Sequence, residues 1–172
     1  MKLFRIALIA SLTAFSGHSM AAVQGTLSAT ESEGQADINI SKDNAVMISM
    51  IDDINLGNFG NLSETLTGDD DVCVFSSTGG YSITITSGNG SFDLSDDTTT
   101  TDIPYGVEWT AGATTAVATY GSPMSGMLGN SVATDCNQVT NANFEISITA
   151  ADFNAADPGT YSDTLVMLVQ PE

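Results

Sequence analysis

Residues 81–88 read Tyr81-Ser82-Ile83-Thr84-Ile85-Thr86-Ser87-Gly88. Large apolar residues alternate with small hydroxyls at a period of two, which puts Tyr81, Ile83 and Ile85 on one face of a β-strand. Gly79-Gly80 supplies a turn before this strand, and Val72 to Phe75 form an apolar run before that turn. After it, Asn89-Gly90 is a type I′ hairpin signal, which predicts Phe92 and Leu94 as a short return strand.

The same pattern extends in both directions. Upstream, Ala36, Ile38 and Ile40 alternate with Asp37 and Asn39, and Ala45 to Ile51 is a nearly unbroken apolar run of the kind a central strand carries. Downstream, Tyr105, Val107 and Trp109 share a face, and a weaker signal predicts a strand around Ala116 to Tyr120. Met124 to Leu128 reads as a loop. Phe144, Ile146 and Ile148 alternate with Glu145 and Ser147, and a loop through Ala150 to Gly159, with room for one helical turn, leads to a last strand, Tyr161 to Val169. Short segments rich in Val, Ile, Thr and aromatics, bounded by Gly, Asn, Asp and Ser, predict an all-β sandwich or barrel in a single domain.

The first stretch has a different character. Lys2 and Arg5 precede an apolar run from Ile6 to Phe15, and Ser19 and Ala21 are small, the layout of a secretory leader over residues 1–21. The run is too short to span a bilayer. The whole chain of 172 residues carries 3 basic and 21 acidic residues, with a single His. Removal of the leader takes Lys2, Arg5 and His18, so the mature chain sets 21 acids against Lys42 alone, a net −20.

Those counts exclude several chemistries. Without His there is no Ser-His-Asp or Cys-His mechanism and no imidazole for zinc. One Lys and no Arg disfavour nucleic acid and anionic membranes as partners. Hydrophobic residues make up 42% of the chain, enough for a packed core and too many for a disordered acidic tail. Cys73 and Cys136 are the only cysteines, and in an exported protein an even pair predicts a disulfide. It closes a loop long enough to contribute roughly 4 kcal/mol in the chain-entropy picture.

Other features have plain readings. Asp69-Asp70-Asp71 and the group Asp93, Asp96, Asp97 and Asp102 are hard-oxygen candidates for calcium. The spacing from Asp53 fails the twelve-residue calcium loop, because Asn58 stands where Gly is required. The acids therefore read as solvated turns. Acids are plentiful enough for glycoside hydrolysis, but no Arg or His is present to bind sugar or tune a carboxyl, and the chain is not read as an enzyme. Trp109, Tyr105 and Tyr120 could stack on a sugar ring; alternation on strands places such aromatics in a core. Asn39, Asn61 and Asn89 each open an Asn-x-Ser sequon.

Three stretches together carry a resemblance. They are Ala22-Val23-Gln24-Gly25-Thr26-Leu27 with Gly34 to Ile40, the block Tyr81 to Gly88 followed by Ile103 to Trp109, and the ending Gly159-Thr160-Tyr161-Ser162-Asp163-Thr164-Leu165 through Val169. The chain resembles the spore coat protein U-like domain of archaic chaperone–usher pilus subunits, although Cys73 and Cys136 lie further from the N-terminus than the cysteines of many pilins. The resemblance implies an immunoglobulin-like β-sandwich that is incomplete and is completed by a strand donated from the next subunit. On that reading residues 22–44 are the donor segment and residues 45–172 the pilin domain. Gly34, Ala36, Ile38 and Ile40 form the donor face, with Val23, Gly25, Leu27 and Ala29 as a second register or an extension. The C-terminal strand with Tyr161, Leu165, Met167 and Val169 flanks the groove, since only three residues follow Val169.

The implied partners are like subunits in a homopolymer, a periplasmic chaperone and an outer-membrane usher. The implied place is a surface pilus for adhesion or biofilm, reached through the periplasm, with no cofactor, no nucleic acid and no insertion into the membrane. Two alternatives stand beside this. Residues 34–40 pair within their own sandwich, or the chain is a secreted monomer that binds carbohydrate or calcium.

Overall fold

The computed structural model describes residues 22–96, 98 and 100–172, so the expected leader lies outside the described residues. The chain divides between Lys42 and Asp43 into two units.

Among the described residues, tight turns and longer connections such as 50–65 and 149–164 join ten strands in the larger unit. They are β1 (Val46–Ser49), β2 (Leu66–Ser76), β3 (Gly80–Ser87), β4 (Asp93–Leu94), β5 (Ile103–Pro104), β6 (Gly106–Ala111), β7 (Thr114–Val117), β8 (Pro123–Leu128), β9 (Ala142–Ile148) and β10 (Leu165–Pro171). One helix, α1 (Ala150–Ala155), is capped by the Thr149 hydroxyl, which accepts from the Asp152 N–H. The strands form a five-stranded sheet in the order β1-β2-β9-β6-β7, a three-stranded sheet β10-β3-β8 and the small pair β4-β5. All the ladders are antiparallel. The all-β class expected from the alternation is the observed one, and of sandwich and barrel it is the sandwich, with separate sheets that do not close on themselves.

The core lies between the inward faces of the two larger sheets. Tyr81, Ile83 and Ile85 of β3 are fully buried, as are Val72 and Val74 of β2 and Trp109 of β6. Each inward Val or Ile contributes about 1.5–3 kcal/mol by leaving water. Trp109 stacks on Phe144 of β9 with ring centroids 6.4 Å apart. Cys73 in β2 and Cys136 in a 3₁₀ turn are joined by a disulfide, with Cα atoms 5.9 Å apart.

Four local expectations are corrected. Phe92 and Leu94 do not return onto β3; β4 pairs with β5 instead, because both edges of β3 are already taken by β10 and β8. Met124 to Leu128 is not a loop but most of β8, whose irregular pairing with β3 is eased by Gly126 at φ 75°. Asp69, Asp70 and Asp71 lie in β2 rather than in a turn, and the Asn143 amide of β9 donates to Asp69 and Asp71 at 2.9 Å each. The strand expected around Ala116 to Tyr120 lies earlier, at Thr114–Val117.

In the smaller unit, Val23 and Gln35 exchange two backbone hydrogen bonds of 2.9 Å. Val23, Leu27, Ile38 and Ile40 are all exposed, Ile38 at 95% and Ile40 at 96%.

Candidate functional site

The apolar run from Ala45 to Ile51 yields only the four residues of β1, and it is an edge strand rather than a central one. It stops at Met50, whose φ of 62° is a left-handed conformation that breaks the ladder. One side of β1 pairs with β2, Val46 opposite Ser76 and Ser49 opposite Cys73. The Ser77 N–H donates to the Ala45 carbonyl at 2.8 Å, which fixes the phase of the ladder. Alternation then directs the main chain of Val46 and Ile48 away from β2.

At the edge of the other sheet, β10 pairs with β3 from Leu165 opposite Ser87 to Pro171 opposite Tyr81. Gly88 N–H donates to Thr164 O at 2.8 Å, and Glu172 N–H to Gly80 O at 3.1 Å. Even-numbered residues of β10 are thus the ones bonded to β3, and Leu165, Met167 and Val169 turn their N–H and C=O groups to the open side. Pro171 has the same outward phase but no N–H to offer.

The two edges belong together. Among the described residues no strand pairs with β1 or β10 on these outer sides, and their Cα atoms come within 8 Å of one another. Val46, Ile48, Leu165, Met167 and Val169 all point at the core yet are only partly buried. The same five residues supply the unpaired main chain and the incompletely covered side chains. This is a junction of two sheet edges with partly exposed apolar side chains and a free hydrogen-bonding edge on each strand, an arrangement that an added strand satisfies once the two part.

The lead-in to β10 is held firmly. Asp163 Oδ2 accepts from the Tyr105 hydroxyl at 2.5 Å, and its Oδ1 accepts from Thr164 N at 2.7 Å and from Asn89 N at 3.2 Å. Burial, and then Asp163 itself, push the Tyr105 phenol well above its ordinary range, so it stays a donor. Asn89 Nδ2 donates to Asp93 O at 2.8 Å and Ser162 O at 3.0 Å. Ser162 and Ser95 also exchange backbone hydrogen bonds.

The residues singled out from sequence fall in three places. Leu165, Met167 and Val169 lie in β10, whereas Tyr161 lies ahead of the strand, its hydroxyl donating to Asp157 O at 2.8 Å. Gly34, Ala36, Ile38 and Ile40, like Val23, Gly25, Leu27 and Ala29, lie in the smaller unit and are exposed. Of the aromatics, Trp109 and Tyr105 are buried and present no face to a sugar; Tyr120 is 39% exposed and packs edge-on against Phe92. Val46 and Ile48 were not singled out, because an apolar run by itself does not reveal that one of its sides lacks a neighbour. No helix among the described residues is long and apolar enough to cross a membrane.

No protein-family model matches the chain, and no curated protein does. A solved structure of a chaperone–tip adhesin complex, from work on the activation of CFA/I fimbriae biogenesis, contains a chain similar to this one. The TM-score is 0.50 at 17% identity, over 74% of this chain and 42% of that one. This chain therefore spans under half the length of its structural neighbour. The likeness is one of fold.

Proposed function

We propose that this chain is a structural subunit of a chaperone–usher pilus of the spore coat protein U-like kind, polymerising by donor-strand complementation. The observation that carries the reading is the junction of β1 and β10, where five inward apolar side chains stay partly exposed and both strand edges stay unpaired. The donor is the exposed segment Gly34 to Ile40 of a neighbouring copy. Its alternation offers Ala36, Ile38 and Ile40 to the junction and Asp37 and Asn39 to water. A strand seated between two others holds them about 9–10 Å apart. Since β1 and β10 approach more closely than that, insertion parts them.

A contact of this kind is head-to-tail and does not close, so it grows a filament. Until the neighbour arrives, a periplasmic chaperone covers the open edge and an outer-membrane usher passes the subunit to the surface. The fimbrial setting of the structural neighbour is in keeping with this reading. The role is structural, in adhesion or biofilm, with no catalytic step and no cofactor.

The test places Asp at Ile38 or at Ile40, and separately at Asn39. The first two bury an unpaired charge and should abolish SDS-resistant, heat-dissociable ladders while leaving export and the chaperone-bound subunit intact. Asn39→Asp, on the wet face, should assemble nearly as the unmodified chain does. Unfolding of chaperone-bound Ile38→Asp would instead make residues 34–40 part of their own sandwich and overturn the proposal.

A further inference from the structure

We propose that Asn89 is a deamidation site, and that its conversion to an acid unlatches the lead-in of β10. Asn89-Gly90 is the one Asn–Gly pair in the chain. Both residues are exposed, and the space where a Gly90 side chain would stand is empty to 4 Å. Gly90 carries no Cβ to block approach of its main-chain nitrogen to the Asn89 side-chain carbon, an approach that in the fold requires release of the Gly90 N–H from Ser87 O, to which it donates at 3.3 Å. In the reaction the Gly90 nitrogen bonds to Asn89 Cγ and the Cγ–Nδ2 bond breaks. Ammonia leaves with the Gly90 amide proton, and a cyclic imide remains. Water then opens either imide carbonyl, giving aspartate or isoaspartate. A polar hollow of about 560 Å³ lined by Asn89, Asp96, Thr160 and Ser162 admits that water.

The consequence follows from what the amide does. Both Nδ2 hydrogens are spent on carbonyl oxygens, of Asp93 and Ser162. A carboxylate has no hydrogen to give, so it faces two carbonyls and the Asp163 carboxylate beside it, and it repels all three. The fold thus restrains the reaction at Asn89, and the reaction, once made, loosens residues 162–164 and the start of the ladder to β3, which then rest on the Tyr105–Asp163 and Ser95–Ser162 hydrogen bonds on this side. In isoaspartate the chain is also longer by one backbone carbon between residue 89 Cα and the Gly90 nitrogen, which shifts Gly90 and the turn relative to the Asp93 and Ser162 carbonyls. That β10 borders the strand-accepting junction rests on the function proposed above; the latch itself does not.

The experiment holds the purified oxidised protein in warm, mildly alkaline buffer and maps asparagines by peptide mass spectrometry with isoaspartate detection. Asn89 should convert before the other asparagines, and faster in denaturant than in the fold. In parallel, hydrogen exchange at Val166 and Leu168 is compared between the unmodified chain, Asn89→Asp and Asn61→Asp. Asn89→Asp should exchange about thirtyfold faster, as expected for two lost hydrogen bonds of ordinary strength, while Asn61→Asp should match the unmodified chain. A synthetic peptide of residues 34–42 should bind Asn89→Asp correspondingly more weakly. Conversion at other asparagines ahead of Asn89, or unchanged exchange in Asn89→Asp, overturns the proposal. Failure of the peptide to bind even the unmodified chain counts against the pilus reading alone, and exchange still decides the latch.

Discussion

The indole N–H of Trp109 in β6 donates to the phenol oxygen of Tyr81 in β3 at 3.0 Å, a buried hydrogen bond that ties the five-stranded sheet to the three-stranded one. Both side chains are fully buried, so the indole N–H has no water to fall back on. Tyr81→Phe should therefore cost about 1–3 kcal/mol, the penalty of an orphaned donor, even though it removes a single oxygen. Chemical denaturation of the two oxidised proteins, compared by midpoint at equal slope, measures it.

The same phenol sets an alkaline limit. Burial pushes the Tyr81 hydroxyl up to about 12, with the Trp109 hydrogen bond pulling the other way. Unfolded tyrosine ionises near pH 10. The fold thus favours the neutral form, and the resulting stability, about 2–3 kcal/mol, is complete below pH 10 and lost as pH rises through 12. Tyr105, raised by burial and by Asp163, adds to the same slope. Stability measured between pH 10 and 12 should fall steeply for the unmodified chain and less steeply for Tyr81→Phe. Parallel slopes would refute the assignment to Tyr81.

The inward faces were legible because strand alternation is local: Tyr81-Ile83-Ile85, Tyr105-Val107-Trp109 and Phe144-Ile146-Ile148 were read from spacing alone, and all lie against the core. What spacing does not carry is pairing. Phe92 and Leu94 were assigned to β3 by the Asn89-Gly90 turn, yet β3 was already bonded on both sides by β8 and by β10, which is 78 residues further on when counted from Ser87 to Leu165. β8 was missed because Pro123, Ser125 and Gly126 weaken any propensity, and it is a strand only because β3 offers it an edge. The candidate site shows the same division. Leu165, Met167 and Val169 were visible as an apolar strand, whereas its openness is a relation between β1 and β10 that appears only in three dimensions.

Reduction of the Cys73–Cys136 disulfide should cost about 2–5 kcal/mol. The bond spans 63 positions and ties the segment that leads from β8 to β9 onto β2. It also holds Cys136, Asn137 and Gln138 at φ 51°, 55° and 62°, three successive side-chain-bearing residues in the left-handed region. Such a run costs about 1–2 kcal/mol per residue, so the turn should relax once the tether is cut. Denaturation of the reduced, alkylated chain against the oxidised one gives the cost. Proton chemical shifts of Asn137 and Gln138 should move toward random-coil values, while those of Ile83 and Trp109 stay put.

The last prediction concerns a row of like charges across the five-stranded sheet. Asp69 of β2 lies directly opposite Glu145 of β9, and Glu145 directly opposite Glu108 of β6. All three are exposed, and Lys42 is the only base among the described residues. Directly opposed like charges destabilise a sheet by a few tenths to about 1 kcal/mol. Glu145 stands between two carboxylates, whereas Glu108 has one acidic partner in the row and Val117 on its other side. Asp69 differs again, because the Asn143 amide donates to it. Glu145→Gln should therefore stabilise the chain by up to about 1 kcal/mol at low salt, Glu108→Gln by roughly half as much, and Asp69→Asn least of the three. Screening shortens the range of these charges to about 8 Å at physiological ionic strength. The advantage of Glu145→Gln should accordingly shrink as salt is added, and the unmodified chain should gain stability over the same range. A thermal-unfolding series in salt decides it: a gain for Glu145→Gln that persists unchanged at molar salt means that packing, not charge, is responsible, and equal gains at all three positions mean that net charge matters and the row does not.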